Sequence, residues 1–173
     1  MIDSRPMTHC PAPHRLLLLL LIACLLAACG SAPSRPRAPK SYFTLPAGQQ
    51  HELVLYSLGL LDTKYVFGGR NPEAGLDCSG MVSYIVEQVS GKRLPHNAAQ
   101  IANITRPIKL KEAVPGDLLF FNTSGRAHSH MGIYIGDNRF IHAPSSRGQV
   151  RKESLSLAYF RKRLDGVRTL RPR

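Results

Sequence analysis

The 173-residue chain has no tryptophan, and only 7% of it is aromatic. Acidic residues are scarce, 11 against 23 basic ones, which gives a formal net charge of +12. No apolar run reaches the roughly 18 residues of a bilayer-spanning helix. No internal repeat is visible, and the His-Glu-x-x-His pattern of zinc hydrolases is missing. The length leaves room for one domain, which excludes a multidomain machine. The composition excludes collagen-like, coiled-coil and wholly disordered chains.

What is present begins with a leader. Leu16 to Ala28 is an unbroken run of thirteen apolar residues after Arg15. A basic start, a short apolar middle and small residues at the boundary read as a secretory signal peptide over residues 1–28, with Met1 or Met7 as its start. The stretch Leu26, Ala27, Ala28, Cys29 resembles the lipobox of bacterial lipoproteins. That resemblance implies a Cys29 acylated on its sulfur and on its new amine, and several acyl chains anchor a protein stably where one binds reversibly. Gly30, not Asp, follows Cys29, so an outer-membrane anchor facing the periplasm is expected; a soluble periplasmic protein with an incidental Cys29 is the competing reading. Residues 29–48 then form the lipidated cysteine and a flexible, basic linker, with Ser, Pro, Ala and Arg dominating residues 30–40.

Loss of the leader leaves 21 basic and 10 acidic side chains, a net +11. Anionic lipid and cell-wall carboxylates are the matching surroundings, and no nucleic-acid partner is expected in that compartment. Cys10 and Cys24 leave with the leader and Cys29 is used by lipid. Cys78 therefore stands alone where thiols usually pair. It is either a small core hydrophobe or a reactive group.

From residue 49 onward the pattern is that of one globular domain, 49–173. Leu53, Val54, Ser57, Leu58 and Leu61 predict a helix over 50–63, and the glycines and proline of 64–76 predict a loop. Met81, Val82, Ile85, Val86 and Val89 form a helical stripe over 78–90, capped by Asp77 and stopped by Gly91. A helical turn is expected near 97–102. Strands follow at 118–121, 130–135 and 140–143, with 167–170 as a possible edge. Helices first and strands afterward indicate an α+β fold, N-terminal helices packed on an antiparallel sheet.

This order places Cys78 in the first turn of a helix behind a Gly-rich loop, where free N–H groups and the helix dipole favour thiolate and can receive an oxyanion. The base comes from the strands. Alternation sends Met131, Ile133 and Ile135 to one face and His130, Gly132 and Tyr134 to the other, with Gly132 leaving room beside the His130 ring. The hairpin decides whether His142 joins His130. A two-residue loop at Asp137 and Asn138 pairs Ile133 with His142 and separates the histidines; a three-residue loop, 136–138, pairs Gly132 with His142 and unites them on one face. His128 reads as a rim residue on the His130 face, and the basic residues Arg161, Lys162, Arg163, Arg168, Arg171 and Arg173 read as solvated.

Together these residues carry a resemblance. Tyr65-Val66-Phe67-Gly68-Gly69, Asp77-Cys78-Ser79-Gly80, Pro115-Gly116-Asp117-Leu118, His130 to Gly136 and Phe140-Ile141-His142-Ala143 occur in the order and spacing of the NlpC/P60 family of cell-wall cysteine peptidases. The resemblance covers most of residues 50–170. It implies a papain-like core, Cys78 as nucleophile, His130 as base, His142 as the residue orienting it, and Tyr65 beside the oxyanion, with Asp77 and Ser79 near the substrate. Tyr65 equally fits a ring that only packs. No cofactor or metal is implied, and the partners are peptidoglycan and, through the anchor, the membrane; a monomer is expected. The expected activity is hydrolysis of a peptidoglycan stem-peptide or cross-link bond that involves a D-amino acid or diaminopimelate. D-alanyl-diaminopimelate stands first and γ-D-glutamyl-diaminopimelate close behind. One departure is local: where the family often has Arg then Ser or Thr after Leu-Pro, Leu94 and Pro95 lead here to His96 and Asn97, so the family's contacts are not carried over to that loop. The alternatives from other classes are a zinc site of His128, His130, His142 and Cys78 and a non-catalytic wall-binding or regulatory lipoprotein.

Overall fold

The computed structural model describes residues 40–146 and 148–172. The signal peptide, Cys29 and most of the linker lie outside the described residues. Order begins earlier than residue 49, however. Leu45 is fully buried and its N–H donates to the Leu170 carbonyl at 2.8 Å, while Phe43 N–H donates to Ile104 at the same distance. The last part of the segment read as linker is therefore packed onto the domain, held by main-chain bonds that its sequence does not announce.

Three helices lead, α1 (Gln50–Gly59), α2 (Cys78–Ser90) and α3 (Ala98–Ile104). Between α1 and α2 the expected loop contains a small ladder of β1 (Arg70–Asn71) and β2 (Gly75–Leu76). The main sheet has β3 (Arg106–Pro107), β4 (Leu118–Phe121), β5 (His130–Gly136), β6 (Arg139–His142), β7 (Arg151–Ser154) and β8 (Leu164–Thr169). Its order is β3-β8-β4-β5-β6-β7 and every pairing is antiparallel. A single helical turn, α4 (Ala158–Arg161), joins β7 to β8. The α+β fold expected from the sequence is the one observed.

The main core lies between helices and sheet, where Leu53, Met81, Val82, Ile85 and Ile101 pack with Leu118, Phe120, Met131, Ile133 and Ile141. A smaller cluster of Leu119, Phe121, Phe140, Phe160 and Val167 covers the other face. Helix α2 has the predicted limits because both ends are fixed locally: the Asp77 carboxylate accepts the Gly80 N–H at 2.7 Å, and Gly91 takes φ 68°. Helix α1 stops four residues short of prediction. Asp62 turns to φ 66° and donates its N–H to the Val150 carbonyl, so tertiary pairing overrides the local pattern.

Residues 164–169 are not an edge strand but an inner one, between β3 and β4. The true edge near the histidines is β7, whose Arg-Lys-Glu-Ser sequence has no apolar alternation to reveal it. Two of the basic residues read as solvated are engaged. Arg171 donates to the buried Asp117 carboxylate at 3.2 Å, and the Arg163 guanidinium lies 4.0 Å over the Tyr159 ring.

The hairpin between β5 and β6 resolves the loop question in an unexpected way. Asp137 and Asn138, both with positive φ, make a two-residue turn with Gly136 opposite Arg139. A bulge at Ile135 then shifts the register, so that Tyr134 faces Phe140 and Ile133 faces Ile141. Continuing that ladder sets Gly132 against His142. The turn of one predicted alternative thus coexists with the register of the other. Gly132 is required by β6 itself, since a Cβ there would lie 2.6 Å from the Ile141 carbonyl oxygen and 3.1 Å from the His142 Cβ.

Candidate active site

Cys78 opens α2 and is partly buried against the main core. The loop passes close over the helix start: a Cβ on Gly80 would strike the Gly69 carbonyl oxygen. From the other side, the N–H of Met131 in β5 reaches the sulfur, as do the N–H groups of Cys78 and Ser79. These groups favour thiolate, as the helix start predicted, but they are outweighed. Burial pushes the thiol up, the neighbouring Asp77 carboxylate adds to the rise, and the result is about 11. The expectation of a lowered thiol is thereby corrected: the resting group is a neutral thiol that needs a base.

The candidate base is on β5. His130 Nε2 lies 2.7 Å from His142 Nδ1, which leaves His130 Nδ1 outside that contact. Both rings are buried, with Phe140 and Phe160 at 4.9 and 5.3 Å from His142 and Phe121 at 6.1 Å from His130. Burial, then the Arg151 cation, hold His130 down at about 4 against a smaller upward pull from Asp77. His142 is lowered by burial, by His130 and by Arg151. For His130 to be a neutral base its proton sits on Nε2 and is donated to His142 Nδ1; His142 then carries its own proton on Nε2, a buried atom without a partner among the described residues.

Tyr65 is half-buried, packs on the core and stands close enough to Cys78 and Asp77 to feel both; burial first, then those two, raise its phenol. It therefore remains an O–H donor, and both readings of it are compatible with its place. Asp77 and Ser79 are committed inside the protein. Asp77 accepts from the Gly80 N–H, from the Ser79 hydroxyl at 3.0 Å and from the Gly68 N–H at 3.1 Å, and Ser79 is buried.

Sequence reasoning noticed His96 only as a departure, yet it belongs here. Arg70 Nε lies 2.8 Å from His96 Nδ1, and His96 Nε2 lies 3.0 Å from Asp77 Oδ1. Arginine has no acceptor, so Nδ1 must accept and the ring proton must sit on Nε2, where it is donated to Asp77. The chain Arg70, His96, Asp77 spans 26 residues of sequence and ends beside the nucleophile.

His128 does not share the histidine face. It precedes β5 with φ 53°, stacks edge-on with Phe120 at 5.4 Å and leaves no room for a side chain at Gly166. Phe120 belongs to the opposite cluster from Phe121. Among the described residues, no three His, Cys, Asp or Glu side chains converge to hold a metal ion. The zinc arrangement, which needed His128, has no geometric support.

Comparison with known proteins agrees with this geometry. The NlpC/P60 family pattern matches residues 62–169. The chain is 37% identical over 151 residues to "Probable endopeptidase NlpC" of Escherichia coli, covering 86% of this chain and 94% of that one. It is 36% identical over 107 residues to "Murein DD-endopeptidase MepH" of the same organism, covering 60% of this chain and 40% of the other. "Gamma-DL-glutamyl hydrolase" of Bacillus subtilis is 40% identical over 124 residues, 71% of this chain and 30% of that one. Among solved structures, the NlpC/p60 domain of peptidoglycan hydrolase SagA superposes with a TM-score of 0.61 at 28% identity, covering 69% of this chain and 97% of the other. An NLP/P60 lipoprotein-like structure from Staphylococcus aureus gives 0.64 at 29%, covering 79% and 46%.

Proposed function

The chain belongs to the NlpC/P60 family, and from that premise we propose that it is a cysteine endopeptidase of peptidoglycan, cutting a stem-peptide or cross-link bond to diaminopimelate. The observation that carries the reading is the 2.7 Å contact between His130 and His142 on the strand whose next N–H meets the helix-start thiol.

The neutral resting groups set the order of steps. Cys78 gives its proton to His130 Nδ1 as sulfur attacks the peptide carbonyl, so the ion pair forms only during reaction. The Cys78 N–H and the Tyr65 hydroxyl stabilise the developing oxyanion. His130 next donates the proton to the leaving amine, the C–N bond breaks, and a thioester remains. Water, deprotonated by His130, releases the acyl group and restores the thiol. Through these steps His142 keeps His130 in one tautomer and one orientation. Asp77, poised near both groups, offsets the imidazolium.

Digestion of purified muropeptides, with products identified by mass spectrometry, tests this directly. Wild type is expected to yield one new amine at diaminopimelate, Cys78→Ser essentially none, and a strong chelator no change. Retention by Cys78→Ser of activity within about tenfold of wild type would overturn the assignment. A wall-binding lipoprotein without catalysis would bind and release the muropeptides uncut.

The lipobox-like stretch supports a lipid anchor at Cys29 that holds a monomeric domain at the outer membrane, facing the periplasm. Cys29→Ala is expected to abolish lipid labelling and to block signal processing, leaving an unprocessed chain that keeps its leader, and a form beginning near Ser41 to be soluble, folded and active. Lipid incorporation into the Cys29→Ala protein would refute that anchor.

A further inference from the structure

His130 hands its proton to the leaving nitrogen, which must come within about 3 Å of the ring. The residue attached to that nitrogen must therefore continue past His130. A cavity of about 290 Å³ opens on the histidines, and its lining includes His130 and His142 but not Cys78. It is the space available to the leaving side of the substrate. Its walls combine two characters. Leu157, Tyr159 and Phe160 offer apolar surface, and Arg151 and Glu153 offer opposite charges, with Arg151 Nε 2.7 Å from Glu153 Oε1.

The sheet register puts the pair there. Arg151 lies directly opposite His142, and Glu153 directly opposite Phe140, so both stand on the histidine face of β7. The guanidinium also donates through Nη1 to the Ser146 carbonyl at 3.0 Å. Its third nitrogen and the second Glu153 oxygen make no hydrogen bond among the described residues. A ligand bearing only a carboxylate meets Arg151 but is repelled by Glu153, and one bearing only an ammonium meets the reverse. A head group that carries both charges on one carbon satisfies both side chains, and a short methylene chain behind it suits the apolar wall.

We propose that this cavity is the subsite for the leaving-group residue and that Arg151 and Glu153 select there a side chain ending in a free α-amino acid head, as diaminopimelate's does, over one ending in an ammonium alone, as lysine's does. The assignment rests on the endopeptidase reading. It also distinguishes between the two candidate bonds, because only cleavage at the γ-D-glutamyl side leaves the second amino acid head of diaminopimelate free to enter the cavity.

The test uses three γ-D-glutamyl peptides that differ in the leaving residue: diaminopimelate, lysine, and 2-aminopimelate, which keeps the terminal carboxylate and lacks the terminal amine. Wild type is expected to cleave the diaminopimelate peptide roughly tenfold or more faster, in kcat/KM, than either single-charge peptide. Arg151→Gln should shift the preference toward lysine and Glu153→Gln toward 2-aminopimelate. These are changes of ratio within one enzyme preparation, so a partly unfolded variant or a general loss of rate does not imitate them. Ratios unchanged within about threefold in both variants would overturn the subsite while leaving the peptidase reading intact. Failure of wild type to cleave any of the three, with its thiol still alkylated by iodoacetamide, would overturn the γ-glutamyl assignment; failure on every muropeptide as well would overturn the peptidase reading itself.

Discussion

His130 meets His142 through Nδ1 of the second ring, not Nε2. An asparagine oxygen reaches about as far from Cβ as a histidine Nδ1 does, whereas a glutamine oxygen reaches about as far as Nε2. His142→Asn should therefore keep kcat/KM within roughly tenfold, His142→Gln should do worse, and His142→Ala should lose about a hundredfold or more. His130→Ala should approach the loss of Cys78→Ser. Equal activity for the Asn and Ala variants in muropeptide cleavage would show that His142 does not orient the base.

The acid and alkaline limits of catalysis follow from the two shifted groups. Protonation of His130, held at about 4, removes the base at low pH; ionisation of Cys78, raised to about 11, marks the high-pH end. The kcat/KM profile of the free enzyme is expected to be a broad plateau with its acid limb well below the ordinary imidazole value near 6.5. An acid limb between about 6 and 7 would contradict a buried, neutral base.

The same burial couples folding to pH. An unfolded histidine binds a proton below about 6.5, whereas folded His130 resists until about 4, so the unfolded state holds more protons in between. Stability conferred by each neutral ring is complete above about 6.5 and declines as pH falls, by at most about 1.4 kcal/mol per unit per group. The melting temperature should drop between pH 7 and pH 5, and His142→Asn should reduce the steepness of that drop. An unchanged slope in the variant would mean that His142 is solvated.

His96 offers a separate check on the thiol side. His96→Leu removes one of the donors to Asp77 and should lower kcat and move the alkaline limb upward, because a less compensated Asp77 charge opposes thiolate more strongly. His96→Gln can accept from Arg70 and donate to Asp77 at once, so it should restore most of the activity. If both variants behave alike, the Arg70 to Asp77 chain is only structural.

Much of this site was legible because its signals are local. Asp77 and Gly91 fix α2 within one turn of each end, and alternation in β5 fixes the face of His130 without knowledge of any partner strand. What failed to show was long-range or electrostatic. Nothing near Arg70 announces His96, and a strand spelled Arg-Lys-Glu-Ser reads as surface until β6 pairs with it. The upward thiol shift is hidden for the same reason: helix-start N–H groups are visible in sequence, but enclosure by the core and proximity to a fully bonded Asp77 are not.

The bulge at Ile135 gives the hairpin slack. One residue of β5 is already surplus to the ladder, so shortening the chain at 135 would join Tyr134 directly to Gly136 and leave Tyr134 facing Phe140 and Gly132 facing His142. The same one-residue change between His130 and Tyr134 would exchange the two faces of the strand and turn His130 into the helix-side core. The hairpin tip is thus insulated from the chemistry at residue 135, while the five residues before it are bound to an exact count.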